Sequence, residues 1–208
     1  MSNEVKTKEK VDMDPKYIAK LAVTLLVTCV VVAGLLGFVN KLTLPNITAA
    51  NEKKTAEAIQ KVLPELEGSP AAMELTEEMT AAASGAGATL TEAYEAQAGG
   101  STIGHALKIV ASGSQGNIEM MVGLDTEGTV TGVSIVKNSE TSGIGSKVME
   151  NQNTAKGVGV LSQFEGKTAA DAPLTVGSNV DAISGATVSS RGVTTGVNAA
   201  LAVAGVMG

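Results

Sequence analysis

Asp181-Ala182-Ile183-Ser184-Gly185-Ala186-Thr187-Val188-Ser189-Ser190 is the stretch around which the chain is organised. Ser184-Gly185-Ala186 is a turn of small residues, a threonine follows, and a proline-free run rich in Ala and Val continues to Val206. This order predicts a tight turn feeding a closing helix over 188–206. Free N–H groups at a helix N-terminus, beside a glycine that lets an anion approach closely, make a phosphate site. Small-residue turns before helices are common, so spacing alone marks a candidate and names no ligand. Gly192, Gly196 and Gly205 are expected to weaken the helix. The run is apolar enough to raise the question of a second membrane span, but Arg191 and Asn198 interrupt it.

Upstream, Asn138 to Lys147 reads N-S-E-T-S-G-I-G-S-K, with two glycines flanking Ile144 and permitting an unusual backbone path. A short helix is expected over 146–156. The segment Leu161 to Lys167 leads into a loop, and Leu174–Val176 suggests one more short strand. From Thr89 the apolar period is two. Leu90–Gln97 and Thr102–Val110, joined at Gly99-Gly100-Ser101, predict one hairpin. Ile118–Leu124 and Thr129–Val136, joined at Asp125-Thr126-Glu127-Gly128, predict a second. Residues 65–89, rich in Ala, Glu and Gly, are expected to be a loop. Four strands with helices at both ends of the chain point to an α+β domain with an antiparallel sheet flanked by helices.

Nearer the N-terminus, Leu21 to Val39 is nineteen residues without a charge. As a helix it spans roughly 28 Å, the thickness of a bilayer's hydrocarbon core. A core helix seldom runs this long without a polar face. A cleaved signal would have a shorter apolar run and a small-residue cleavage site, which is missing here. Cys29 sits mid-span, as an inert membrane cysteine rather than a lipid attachment point. Lys6, Lys8, Lys10, Lys16 and Lys20 precede the span, whereas only Lys41, Lys53 and Lys54 lie close behind it. The positive-inside bias places the N-terminus in the cytoplasm and everything after Asn40 outside. The expected organisation is a cytoplasmic tail over 1–16, a transmembrane anchor over 17–40 and one domain over 41–208. Pro45-Asn46 is expected to break the chain before an amphipathic helix, Ile47–Leu63, that Pro64 ends.

Composition narrows the chemistry. A net charge of −6 argues against a nucleic-acid partner. One cysteine excludes an internal disulfide framework, and also a cysteine-held zinc or iron–sulfur centre built by this chain alone. His105, the single histidine, fits a strand residue with no special task. Aromatics are 2% of the chain, so any core is aliphatic.

Three segments then coincide. Asp181-Ala182-Ile183-Ser184-Gly185-Ala186-Thr187 matches the D-x-x-[ST]-G-A-T pattern recognised by flavin transferases. Glu140-Thr141-Ser142-Gly143-Ile144-Gly145 resembles the E-T-P-G-L-G loop of the same proteins, with Ser142 in place of proline and Asn138 where a histidine is often found. Phe164-Glu165-Gly166-Lys167 resembles their F-x-G-K segment. With the N-terminal anchor, the chain resembles the FMN-binding G subunits of Rnf electron-transport complexes. The C subunits of sodium-pumping NADH:quinone reductases are similar.

The resemblance implies a membrane-anchored flavoprotein subunit of a multi-subunit, ion-translocating ferredoxin:NAD+ oxidoreductase. It implies FMN joined covalently through a phosphodiester to Thr187, on a turn formed by Ser184, Gly185 and Ala186. Glu140, Thr141 and Gly143 would line the isoalloxazine, and Leu174 is a further guess for a ring contact. Asp181 would be read by a separate magnesium-dependent flavin transferase, or would form the turn. The implied partners are other integral-membrane and iron–sulfur subunits. No residue of this chain is expected to act as a catalyst or to bind a metal. The competing readings are a quinone-reductase C subunit, an extracellular FMN carrier outside any pump, and an anchored structural domain without redox chemistry.

Overall fold

The structure, a computed structural model, describes residues 15–207. Residues 1–14, with Lys6, Lys8 and Lys10 of the predicted tail, lie outside the described residues. The chain divides into two compact units, Met1–Ala50 and Asn51–Gly208. In the first, helix α1 (Pro15–Val62) begins, and its most apolar eighteen-residue window has no buried residue. The length and composition predicted for a membrane span are therefore present in a real helix. Pro45 does not break it, contrary to the sequence reading: α1 runs on past this residue to Val62. A mid-helix proline removes one hydrogen bond and displaces one carbonyl, which bends a long helix more often than it ends it. Pro64 does terminate α1, because the residue before a proline is pushed out of the helical region.

The second unit is a five-stranded antiparallel meander in the order β1-β2-β3-β4-β5: β1 (Ala71–Met73), β2 (Thr89–Ala98), β3 (Ser101–Ser112), β4 (Asn117–Asp125) and β5 (Val130–Lys137). Both predicted hairpins form. The expected loop over 65–89 does not: it contains β1 and helix α2 (Glu77–Gly85). The signal was in the sequence. Thr76 caps α2 by accepting from Met79 N at 3.2 Å, Glu77 and Glu78 occupy the first turn, and alanines follow. Helix α3 is shorter than predicted, Ser146–Met149. Leu174–Val176 is not a strand and makes only an isolated bridge, Val176 to Val180. Helix α4 (Thr187–Met207) closes the fold and is buried along eleven positions, so it is a core helix rather than a second membrane span.

Alternation along the strands sends side chains to two different cores. Ile118, Met120, Val122 and Leu124 of β4 join Leu107 and Ile109 of β3 and Val193, Val197 and Leu201 of α4. On the opposite face Ala96, Ala106 and Met121 pack with Ala58, Ile59, Val62 and Leu63 from the end of α1. Covered on both faces, β4 is buried at six of nine positions. Within the segment 47–63, Ile47 and Ala50 are exposed and burial begins at Thr55.

The glycines of α4 serve packing. A Cβ at 192 would lie 2.5 Å from the carbonyl oxygen of Ser112, and one at 196 would lie 2.5 Å from Met120 Sδ. The helix can therefore sit against β3 and β4 only where side chains are missing. A Cβ at 205 meets nothing within 4 Å.

Two measurements follow from this packing. Gly192→Ala should destabilise the domain by about 1–3 kcal/mol, the usual cost of forcing atoms into a filled core. Gly205→Ala should be neutral or stabilise it by roughly 0.5–1 kcal/mol through helix propensity. Denaturant melts of the detergent-solubilised chain would compare the two. The second measurement concerns pH. Burial, the hydrogen bond to Glu92 and that carboxylate's charge push the Tyr94 phenol up to about 12. The unfolded phenol ionises near its ordinary 10, so Tyr94's contribution is intact below pH 10 and is lost as pH rises toward 12. Glu92 is opposite in sign. Burial would raise it, but Lys108, whose ammonium lies 2.8 Å away, and Tyr94 hold it below its ordinary 4.5, so its contribution is lost as pH falls below that value. In a Tyr94→Phe variant the alkaline fall in stability should be shallower.

Candidate functional site

The turn before α4 is built as the sequence predicts. Gly185 has φ +80°, a left-handed conformation that a side chain resists, and Ala186 N donates to Ile183 O at 2.9 Å. Ser190 N donates to Ala186 O at 3.0 Å, closing the first rung of the helix. The N–H groups of Thr187, Val188 and Ser189 precede that rung and have no carbonyl in the helix to donate to. Buried Ser190 ties the turn back on itself: its Oγ donates to Ala186 O at 3.1 Å and accepts from Ile183 N at 3.4 Å. Thr187 is half-buried at the start of α4, while Ser184 and Gly185 are exposed. Ala186 is buried and fixes the turn to the core.

Asp181 enters this turn under two constraints. Its N–H donates to Gln163 Oε1 at 2.7 Å and its carbonyl accepts from Gln163 Nε2 at 2.9 Å. Its carboxylate is 3.0 Å from Lys156 Nζ, with both side chains well exposed. The Phe164-Glu165-Gly166-Lys167 segment is structural. Phe164 is fully buried, and Gly166 N and Lys167 O exchange hydrogen bonds with Val130 at 2.8 Å each.

Glu140 borders a depression beside Thr187 and is held by three hydrogen bonds. Its Oε1 accepts from Ser114 N at 2.7 Å and from Gln115 N at 3.2 Å, at the tip of the β3–β4 hairpin. Its Oε2 accepts from Ser189 Oγ, in the first turn of α4. One carboxylate thus joins the hairpin tip, the loop after β5 and the helix that begins at Thr187. Room for it comes from Gly113 and Gly145, where any Cβ would intrude on Glu140. Ser189 had no signal in the sequence beyond its place in a run of hydroxyl residues.

Thr187 lies between two depressions. The smaller, about 180 Å³, is walled by Glu140, Thr141, Ile144, Gly185, Ala186 and Val188. Ile144 and Val188 form its apolar rim, 52% and 51% exposed. Gly143 is not on this wall; it has φ +75° and its N–H donates to Ser146 Oγ at 2.9 Å, shaping the loop. The larger depression, about 520 Å³, is bordered by Lys147, Gln152, Asn153, Thr154, Ser184 and Thr187. Gln152, Asn153 and Thr154 on its far side carried no signal in the sequence, because 150–161, expected in part to be helical, is irregular. Asn151 organises that loop with φ 54°, its Oδ1 accepting from Leu161 N at 2.7 Å and Ser162 N at 3.2 Å. Leu174 is at neither depression. It is 3% exposed in the core, held there by Asn198, whose Oδ1 accepts its N–H and whose Nδ2 donates to its carbonyl. His105 is an ordinary member of β3, paired with Glu95 and Leu124. Among the described residues no group of three or more His, Cys, Asp or Glu is placed to hold a metal ion.

The turn that carries Thr187 lies within residues 113–202, which match the FMN-binding domain family. That segment contains every residue of both depressions. The chain is 34% identical to the G subunit of the Na+-translocating ferredoxin:NAD+ oxidoreductase complex of Acetobacterium woodii, covering 96% of this chain and 97% of the relative. It is 29% identical to the G subunit of the ion-translocating oxidoreductase complex of Methanosarcina acetivorans, covering 90% and 95%. A crystal structure of the C subunit of the Na+-translocating NADH-quinone reductase from Parabacteroides distasonis is similar with a TM-score of 0.45 at 18% identity, covering 74% of this chain and 90% of that one. The chain belongs to the family of G subunits of ion-translocating oxidoreductase complexes.

The Glu140 clasp has a direct test. Glu140→Ala should cost about 1.5–3 kcal/mol, the range for hydrogen bonds to a charged group. Glu140→Gln keeps an acceptor for the two N–H groups and a donor for Ser189 Oγ, and should cost less than half as much. Urea melts of both variants and of Ser189→Ala would measure the difference.

Proposed function

We propose that this chain is the membrane-anchored flavoprotein subunit that relays electrons within an ion-translocating ferredoxin:NAD+ oxidoreductase, with FMN attached through a phosphodiester to Thr187. Membership of the G-subunit family supports the complex and the reaction it serves. The observation that carries the attachment site is the position of Thr187. It is the first residue of α4, on an outward turn, between two depressions, at the end of the D-x-x-S-G-A-T segment.

The residues present suit a tethered flavin phosphate. The unsatisfied N–H groups and the positive end of α4 favour the single negative charge of a phosphodiester, by about 0.3–1 kcal/mol. Thr141, Ile144 and Val188 give the group an apolar exit from Thr187, and Glu140 keeps that wall in place. FMN supplies the electron-carrying chemistry; the chain supplies attachment, orientation and local charge.

A threonine hydroxyl is a poor nucleophile without a base or metal to activate it. Thr187 has neither among the described residues, so a separate flavin transferase is part of the proposal. Because a simple phosphate monoester is not activated, the donor must be a flavin dinucleotide. Thr187 Oγ bonds to the flavin-side phosphorus, the pyrophosphate P–O bond breaks, AMP leaves, and the hydroxyl proton passes to the transferase. Asp181, half-exposed and paired with Lys156, is the residue proposed for recognition.

The partners are the other integral-membrane and iron–sulfur subunits of the complex. The chain is proposed to be single-pass in the cell membrane, with a cytoplasmic tail over 1–16, an anchor over 17–40 and an extracytoplasmic domain over 41–208. The lysine asymmetry supports that orientation.

Coexpression with the transferase should give a protein heavier than the polypeptide by one FMN less one water, fluorescent in a denaturing gel. Thr187→Ala should remove both signals completely. A fluorescent band of unchanged intensity in that variant would refute the assignment.

A further inference from the structure

Thr187 is half-buried between two depressions, at a concave part of the surface. Enzyme active sites are concave as well. A transferase must bring the phosphorus of a flavin dinucleotide to Thr187 Oγ while contacting Asp181. Two concave surfaces meet at atomic distance only if one of them yields a projecting segment. The D-x-x-S-G-A-T stretch does not project as folded. Ile183 is 7% and Ala186 3% exposed, both packed in the core, and the Asp181 carboxylate is on Lys156.

The attachments of this stretch are few. Asp181–Ala186 belongs to no helix or strand. The turn before it closes on itself: Thr175 N donates to Asn179 Oδ1 at 2.6 Å, and Gly177 N donates to Val180 O at 2.8 Å. Gly177, with φ +90°, and Gly185, with φ +80°, bracket the stretch. Between them one side-chain amide, that of Gln163, grips Asp181 at both its N–H and its carbonyl. Gln163 is itself fixed beside the buried Phe164, and its Nε2 also donates to Val160 O at 2.8 Å. Apart from the turn's own bond to Ala186, two other polar ties hold Asp181–Gly185 among the described residues. One is the Lys156 pair, in which both side chains are well exposed; the other is a long bond from Ile183 N to Ser190 Oγ, 3.4 Å. Exposed pairs add little. Gln163 is therefore the principal polar fastening, with Ile183 the one large apolar side chain behind it.

We propose that Asp181–Gly185 is a strap that lifts from the domain so that Thr187 can be modified, and that Gln163 is the positioning residue that fastens it. The proposal rests on attachment at Thr187 by a transferase and states how the segment is presented. Lifting turns Asp181 and Ser184 outward between the two glycines, frees the carboxylate from Lys156 and opens the approach to Thr187 Oγ. A few hinge residues suffice to absorb such a change in φ and ψ. Local openings of this kind are minor states in equilibrium with the closed fold, and the rate of modification follows their population. Loosening Gln163 therefore speeds modification, whereas loss of an ordinary structural or aligning contact slows it. Once FMN is joined, the strap closes and Gln163 holds the finished turn.

The test uses the full-length chain without FMN, in detergent, with flavin adenine dinucleotide and a purified flavin transferase at limiting concentration. Intact mass follows the gain of FMN. Gln163→Ala should raise kcat/KM for the chain roughly tenfold, the change that corresponds to about 1.4 kcal/mol of lost hydrogen bonding. Hydrogen exchange on the parent needs no substitution. The N–H groups of Asp181 and Ile183 should exchange at least about tenfold faster than that of Val197 in the buried middle of α4. In Gln163→Ala the exchange of Ile183 N–H should quicken by the same factor as modification.

A folded Gln163→Ala chain that is modified at the parent's rate, or more slowly, would overturn the proposal. So would Asp181 and Ile183 amides that exchange no faster than Val197. If a melting curve shows that Gln163→Ala does not fold, the exchange rates of the parent decide alone. Failure of the parent to gain FMN at Thr187 would instead defeat the attachment reading, and intact mass with peptide mapping separates the two failures.

Discussion

One carboxylate holds the working end of this domain together. Glu140 accepts from two backbone N–H groups at the β3–β4 hairpin tip and from the hydroxyl of Ser189 in α4. Three segments that are distant in sequence are thereby fixed where Thr187 begins its helix. The arrangement is specific because the donors point at one spot and two glycines, Gly113 and Gly145, leave the space empty. The carboxylate is therefore engaged in positioning the start of α4, where Thr187 lies.

Rigidity below that point comes from the sheet. The strands are covered on both faces, by α4 and α2 on one and by the end of α1 on the other. Close approach makes this possible. Gly123 and Gly132 let the backbone at Val62 settle on β4 and β5, where Thr131 Oγ1 donates to Val62 O at 2.6 Å. Gly192 and Gly196 do the same for α4 on the other side. A chain poor in aromatics fills its core by bringing backbones together rather than by inserting large rings. The irregular loops carrying Lys147, Thr154 and Asp181 are then mounted on a frame that does not yield.

The site is assembled from weak electrostatic elements rather than from strong catalysts. Around Thr187 lie helix-start N–H groups, one lysine and a few hydroxyls and amides. The FMN-binding domain family and the G subunits of ion-translocating oxidoreductase complexes are the relatives in which this site is found. The same helix that supplies part of the core, α1, also supplies the long apolar segment, so anchoring and folding draw on one element.

Local patterns carried most of the fold. Period-two alternation gave the four long strands, the uncharged run gave the apolar helix, and the small-residue turn gave the start of α4, because each depends only on neighbouring residues. Helix α2 was also legible from Thr76, Glu77 and Glu78, although the Gly- and Ala-rich composition around it suggested a loop. Thr187 stood out through the resemblance of Asp181–Thr187 to the D-x-x-[ST]-G-A-T pattern, since its turn alone marks only a candidate. The roles of Glu140, Ser189 and Gln163 did not, and neither did the burial of Leu174. Each of these depends on which distant backbone group or cavity the side chain meets: Glu140 with Ser114 and Ser189, Gln163 with Asp181, Leu174 with Asn198. Sequence by itself determined the long strands, the apolar helix and the turn that carries Thr187. Only the tertiary structure decided which polar groups are spent holding the fold and which are left over, because satisfaction of a donor or acceptor is a property of the packed chain.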